Sequence, residues 1–256
     1  VRLAFAAFFF FYFSYIGLMS PYASLYFSSR NFGAIEIAAL MSMFQITRIL
    51  GPFAWGWLAD IRRDRLGIMR MTSVMACIIF SAIFYLESYL PLLIWMFLLN
   101  TVISSLMPLG EAATVHALYK NNDFDRRYGR LRLWGSIGFI AMVLFAGAWF
   151  ERFGIESFPY FGMVALLIMT VLTTTLREPA MEATHHVEIK LGHVLKNTQV
   201  QWFMTANFWM IFGHAALYVF YSLYLDRLGY SKGEIGLFWM LGVLSEVIFF
   251  YFQSYF

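Results

Sequence analysis

The chain has 256 residues, of which 61% are apolar, 20% aromatic and only 13% charged, and its formal net charge is +3. A soluble domain of this size carries about 45–50% apolar and about 25% charged residues. The composition therefore argues against a soluble enzyme, a disordered protein or a nucleic-acid binder, and it indicates a polytopic membrane protein. The single Cys77 cannot form an intrachain disulfide.

Long apolar stretches follow one another along the whole chain. A membrane-spanning helix needs about 20 mostly apolar residues, and the stretches are too long and too irregular for outer-membrane β-strands. The sequence therefore predicts an all-α helix bundle with eight spans, numbered 1 to 8 in chain order. The predicted spans cover residues 3–27, 34–59, 67–87, 90–119, 130–150, 157–177, 199–226 and 232–256.

The basic residues between the spans are distributed unevenly. If the N-terminus lies in the cytoplasm, the inner ends and loops hold 13 Lys and Arg residues and the outer ones hold 4. Because cytoplasmic loops carry an excess of Lys and Arg, this predicts a multi-pass protein of the cell's inner (plasma) membrane with a cytoplasmic N-terminus. The lipid bilayer is then its first partner.

The end of the chain repeats its beginning at an offset of 198 residues. Ser24-Leu25-Tyr26 aligns with Ser222-Leu223-Tyr224, and Glu36-Ile37 aligns with Glu234-Ile235. Repeated halves are typical of secondary transporters. We therefore predict a six-helix bundle over 1–177, a central cytoplasmic loop over 178–198, and the start of a second bundle over 199–256. A second half that copied the first would have six spans, so we expect these to be helices 1–8 of a twelve-helix protein.

Several motifs resemble the major facilitator superfamily. Gly56-Trp57-Leu58-Ala59-Asp60 and the arginines that follow resemble the family's loop between helices 2 and 3, although Ile61 and Arg63 depart from its pattern. The segments 108–112, 128–136, 213–216 and 242–248 are similar to the phenylpropionate-permease branch, which is related to the lactose and nucleoside proton symporters. The resemblance implies the major facilitator fold, alternating access, and a protein that is a monomer when full length.

Three ionisable side chains are predicted near the middle of the membrane. Arg48 and Glu246 lie about 14 residues into spans 2 and 8, or roughly 21 Å deep, and His214 lies at a similar depth in span 7. A charge at the bilayer centre costs about 2.5–3.5 kcal/mol on insertion scales, so it is retained where it is paired or useful. Arg48 is therefore a candidate ligand for an anionic solute, His214 for the solute or a proton, and Glu246 for a proton. The alternative is a salt bridge between Arg48 and Glu246 that only docks the two halves.

Glu111 in span 4 and Arg132 in span 5 are predicted to form a second pair. Counted from the cytoplasmic ends of their helices, they lie about 12 and 9 Å deep. In relatives such as the lactose permease, an acid and an arginine at these places contact the substrate, which implies that role here, with Glu111 also a candidate proton carrier. The alternative is a static bridge within the helix hairpin. Gly135 and Gly138 in span 5 are expected to allow close helix packing.

An aromatic stripe and a charged loop complete the candidate residues. Tyr12, Tyr15, Met19, Tyr22 and Tyr26 are spaced as one helix face. The stripe either lines a cavity for a sugar or aromatic ring, with Tyr15 and Tyr22 as the deepest ligands, or it only packs. The candidate gating residues, by the family resemblance, are Asp60, Arg62, Arg63 and Arg65.

Taken together, these features predict a secondary transporter. We expect proton-coupled symport of a small organic solute, first an aromatic carboxylate such as phenylpropionate and alternatively a sugar or nucleoside. The chain lacks the GxxxxGK[ST] loop that binds ATP, and it suggests no enzyme activity, cofactor or metal. His185 and His186 in the central loop are weak evidence for a metal site. The alternative class is a non-transporting membrane protein or a channel-like relic.

Overall fold

The computed structural model describes residues 2–119, 124–178 and 196–252. Across these ranges the chain is almost entirely helical and contains no strand, which confirms the predicted all-α bundle. Helices are the expected solution in lipid, because each backbone N–H and C=O must find its partner within the protein. The α-helices of the described residues are α1 (Arg2–Ser29), α2 (Ala34–Arg62), α3 (Arg65–Ser81), α4 (Tyr89–Ile103), α5 (Leu106–Tyr119), α6 (Phe124–Phe153), α7 (Phe158–Thr175), α8 (Thr198–Arg227) and α9 (Lys232–Phe252).

The helices correspond closely to the predicted spans. Seven segments of the described chain are long and apolar enough to cross a membrane, and they coincide with spans 1 to 7. Helix α9 occupies the place of span 8, of which residues 253–256 lie outside the described part. Most of the predicted central loop, 178–198, also lies outside it, so the proposed domain boundaries stay a prediction.

Span 4 differs from the continuous helix predicted over 90–119. Helix α4 ends at Ile103 and α5 begins at Leu106. Pro108 gives the physical reason, because proline has no N–H to donate to the carbonyl four residues earlier. At the break, the Ser105 hydroxyl lies 2.8 Å from both the Thr72 hydroxyl and the Val102 carbonyl. The break is therefore tied to α3, and the polar residues of α5 lie on a separate helical segment.

Helix α1 forms the centre of the bundle. It packs most extensively on α6, and it also contacts α2, α7 and α8. All five members of the aromatic stripe are buried on it, with exposed fractions between 0% and 7%. The predicted single face is therefore real, and it faces the interior of the bundle.

Small residues allow α1 and α6 to approach closely. A Cβ atom on Gly138 would collide with the main chain of Phe10, and one on Gly17 would lie 2.8 Å from the Phe139 carbonyl oxygen. The Ser14 hydroxyl lies between the helices, 3.1 Å from the Gly138 carbonyl oxygen. The predicted packing role of Gly138 is confirmed. In lipid, burial of apolar surface does not drive helices together, so the van der Waals contacts of such close packing stabilise the helix pair instead.

The last two helices, α8 and α9, pack mainly on different earlier helices. Helix α8 contacts α1 and α2, whereas α9 packs mainly on α6. The indole N–H of Trp239 in α9 donates to the Ser222 hydroxyl in α8 over 2.9 Å. Between α1, α6 and α9, the Tyr22 hydroxyl donates to the Val143 carbonyl over 2.7 Å and lies 3.4 Å from the Lys232 carbonyl oxygen. These contacts fix where the second half meets the first.

Candidate functional site

Glu111 of α5 and Arg132 of α6 lie side by side, as their predicted depths indicate. The Arg132 Nε atom is 3.6 Å from the Glu111 Oε1 atom. The two side chains are 36% and 37% exposed, so the pair is partly accessible rather than buried in the core. A solute could reach both charges, which a sealed structural bridge would not allow.

Two aromatic side chains complete this pair, and sequence reasoning did not identify either. The Arg132 guanidinium lies over the ring of Phe13 in α1, 4.1 Å from the ring centroid. Glu111 accepts a hydrogen bond from Tyr128 in α6. Tyr128 was visible in the sequence as a polar residue one helical turn before Arg132, whereas Phe13 carried no signal that distinguished it from its aromatic neighbours.

Arg48 of α2 belongs to the same region. The charges of Arg48, Glu111 and Arg132 all act on Tyr12, which is 6% exposed on α1. All three charged groups therefore lie close enough to Tyr12 to act on it electrostatically. Two cations and one acid leave this region with a net positive charge, which favours an anionic ligand.

Arg48 and Glu246 are not brought together. Both side chains are exposed, and neither forms an ion pair with any residue that the structure describes. The predicted docking bridge between them is therefore absent from the described residues. The proposed roles of Arg48 as an anion ligand and of Glu246 as a proton carrier stay predictions.

His214 is exposed on α8. Its Nδ1 atom lies 2.7 Å from the Met210 carbonyl oxygen, one turn earlier in the same helix, and its ring lies 6.1 Å from that of Tyr218. The ring of Tyr218 stacks in turn on Trp239 of α9. His214 therefore begins an aromatic series that links α8 to α9, and its role with solute or proton stays a prediction.

Tyr15 and Tyr22 are fully buried rather than exposed to a cavity. The Tyr15 hydroxyl has no hydrogen-bond partner among the described residues, whereas the Tyr22 hydroxyl is engaged with main-chain carbonyls. In this conformation Tyr22 joins three helices and offers no free hydroxyl to a solute. The structure thus supports the packing interpretation of Tyr22, and a ligand role for either tyrosine stays a prediction.

The four candidate gating residues lie in different surroundings. Asp60, Arg62 and Arg63 are exposed, and none of them forms an ion pair with another described residue. Arg63 ends α2 in the left-handed conformation, with φ of 51°. Arg65 alone is paired, because its Nη1 atom lies 2.8 Å from the Glu178 Oε1 atom.

Glu178 collects contacts from distant parts of the chain. Its Oε1 atom also lies 2.8 Å from the Nδ1 atom of His116 in α5, and the Glu178 side chain is only 6% exposed. The cluster therefore joins α3, α5 and the segment after α7. From the sequence, His116 is expected to be a structural residue at the cytoplasmic end of span 4, which agrees with this contact, whereas its partner Glu178 was not identified.

No group of three or more metal-binding side chains converges within the described residues. The loop histidines His185 and His186 lie outside those residues.

A family model described as "MFS_1 like family" matches residues 2–256. The chain is 25% identical over 253 residues to "Uncharacterized transporter YwbF" of Bacillus subtilis (strain 168). It is 25% identical over 248 residues to the "Probable 3-phenylpropionic acid transporter" of Escherichia coli (strain K12), and 25% identical over 251 residues to the "Maltose permease" of Geobacillus stearothermophilus.

These matches cover most of this chain and part of each relative. They include 96%, 95% and 97% of the chain, but only 62%, 64% and 63% of the respective relatives. The fold is similar to that in "Crystal structure of nucleoside transporter NupG", with a TM-score of 0.83, 16% sequence identity, and coverage of 99% of this chain and 67% of that one. At that identity the likeness concerns the fold alone.

Proposed function

Because the chain belongs to the MFS_1 like family of transporters, we propose that it forms part of a secondary transporter that moves a small organic solute by alternating access. The family assignment carries the transport class, and the open Glu111–Arg132 pair is the observation that carries the site. A charged pair on membrane-spanning helices is costly unless water or solute reaches it, and this pair is over one-third exposed.

The solute that this site fits best is an aromatic carboxylate. Arg132 and Arg48 supply two cations for one carboxylate, and guanidinium groups bind carboxylates through paired hydrogen bonds. The relative from Escherichia coli is named for such an acid. A sugar or nucleoside is the second candidate, because Glu111 and its hydrogen-bonded neighbour Tyr128 could bind solute hydroxyl groups. The relative named as a maltose permease supports this alternative.

The driving force in this proposal is a proton gradient. Glu246, Glu111 and His214 are the groups that would take up and release the proton during transport. Asp60, Arg62, Arg63 and Arg65 would act as the gate at the cytoplasmic side. We place the protein in the inner membrane with its N-terminus in the cytoplasm, supported by the distribution of basic residues. A twelve-helix protein that is a monomer when full length belongs to the same proposal. The matches cover 62–64% of the relatives, close to the share that eight of twelve helices would give, and they do not bear on the oligomeric state.

Uptake assays test the solute and the coupling ion together. Cells that express the gene are given labelled phenylpropionate, maltose or a nucleoside, and vesicles are given an imposed proton or sodium gradient. We expect accumulation of the aromatic acid with the proton gradient only. Accumulation of the sugar or nucleoside would support the second candidate, and binding or leakage without accumulation would support a channel-like or non-transporting protein.

Charge variants then test the site. Arg132→Gln and Arg48→Gln should each abolish accumulation of the acid, because both remove a cation from the region of Tyr12. Arg130→Gln is the matched control, since Arg130 lies on the same helix with an exposed side chain. Retained uptake in both site variants would contradict the proposed binding region.

A further inference from the structure

The guanidinium of Arg132 is held mainly by an aromatic ring. It lies 4.1 Å from the centroid of Phe13, whereas its Nε atom is 3.6 Å from Glu111, which is too far for a hydrogen bond. It donates no hydrogen bond to any residue that the structure describes. A cation over an aromatic face is stabilised by the ring's quadrupole, and its N–H groups at the edge stay available.

Gly135 provides the space in which this arrangement fits. A Cβ atom at position 135 would lie 2.5 Å from Cδ2 of Phe13 and 3.1 Å from Nη1 of Arg132. Any side chain there must displace the ring or the guanidinium. The Phe13 ring also makes an edge contact with the buried Tyr12, with ring centroids 5.3 Å apart.

We propose that Phe13 and Gly135 are positioning residues that fix the guanidinium of Arg132 beside Glu111 with its outer N–H groups free for the solute. The inference rests on the proposed function, since it concerns the same site. A flexible arginine would lose side-chain entropy each time a solute bound. Because Phe13 and Gly135 already hold the Arg132 side chain in place, that entropy is lost on folding and does not weaken solute binding. Glu111, on one side of the guanidinium, then determines which of its edges faces the solute.

Transport kinetics of the intact gene product test the proposal. Phe13→Leu should raise the KM of uptake by about 2–30-fold, the range that a cation–π contact supplies, with kcat changed by less than about twofold. Phe13→Trp keeps an aromatic face and should restore the KM.

Matched variants separate positioning from general damage. Phe11→Leu removes a half-buried ring from α1, the helix that carries Phe13, and this ring contacts no cation among the described residues. Gly129→Ala adds a methyl group to α6 at a position with no neighbouring atom within 4 Å. Both should leave the KM unchanged, while Gly135→Ala should raise it. An equal KM for Phe13→Leu and Phe11→Leu would overturn the proposal.

Chemical modification gives a measurement that does not depend on transport. Phenylglyoxal is applied to the purified intact protein, and the modified Arg132 and Arg130 peptides are quantified by mass spectrometry. Phe13→Leu and Gly135→Ala should each raise the ratio of Arg132 to Arg130 modification, because the Arg132 guanidinium is no longer held against the Phe13 ring. An unchanged ratio in both variants would refute the positioning role. A raised ratio in a protein that transports none of the tested solutes would uphold it and refute only the proposed function.

Discussion

Two tyrosines on α1 offer a test in which only the hydrogen-bond partner differs. Tyr15 and Tyr22 are both 0% exposed, and each would lose one hydroxyl on mutation to phenylalanine. The Tyr22 hydroxyl donates to the Val143 carbonyl over 2.7 Å, whereas the Tyr15 hydroxyl has no partner among the described residues. Tyr22→Phe should therefore cost about 0.5–1.5 kcal/mol. Tyr15→Phe should be neutral or stabilising, because burying an unpaired hydroxyl costs about 1–3 kcal/mol.

Thermal unfolding of the purified intact protein in detergent measures the difference. One kcal/mol corresponds to about 2–4 °C in Tm for a chain of 150–250 residues, so Tyr22→Phe should lower Tm by roughly 1–6 °C. Tyr15→Phe should match or exceed the unmodified protein. Equal shifts in the two variants would refute the reasoning, since burial and chemistry are the same and only the partner distinguishes them.

Three further variants test other contacts. Gly138→Ala should cost about 1–3 kcal/mol because its methyl meets the main chain of α1, and the same unfolding assay should show no loss for Gly129→Ala. Glu178→Gln should cost about 1–3 kcal/mol, because Arg65 loses its carboxylate partner; an unchanged Tm would mean that the cluster adds no stability. Asp64→Ala should cost about 0.5–2 kcal/mol by removing the N-cap of α3, and Asp64→Asn should recover most of it if capping is the cause.

Parts of the site could be predicted because helix geometry converts sequence position into depth. Counting residues from the cytoplasmic ends placed Glu111 and Arg132 at similar depths on adjacent spans, and the structure pairs them. The same arithmetic gave Arg48 and Glu246 equivalent depths, yet they form no ion pair. Depth fixes one coordinate only, and the rotation and lateral position of each helix depend on which faces pack.

Hydrophobic periodicity could not separate aromatic residues that pack from those that bind. Tyr22 and Phe13 lie on the same helix, and either could be expected to line a cavity. Tyr22 is sealed between three helices, whereas Phe13 lies under a partly accessible guanidinium. The difference arises from two glycines of α6. Gly138 lets α1 approach closely, and Gly135 leaves the space in which the Arg132 guanidinium lies over Phe13.

The sequence by itself determined the membrane environment, the helical class and the seven described spans, because lipid admits few solutions and about 20 apolar residues are enough to reveal each helix. It also predicted that Glu111 and Arg132 lie at similar depths on adjacent spans. Tertiary structure decided which charges meet. It broke span 4 near Pro108, buried Tyr15 and Tyr22, and joined Arg65 to His116 through Glu178. These outcomes depend on contacts between residues far apart in the chain, which local periodicity does not encode.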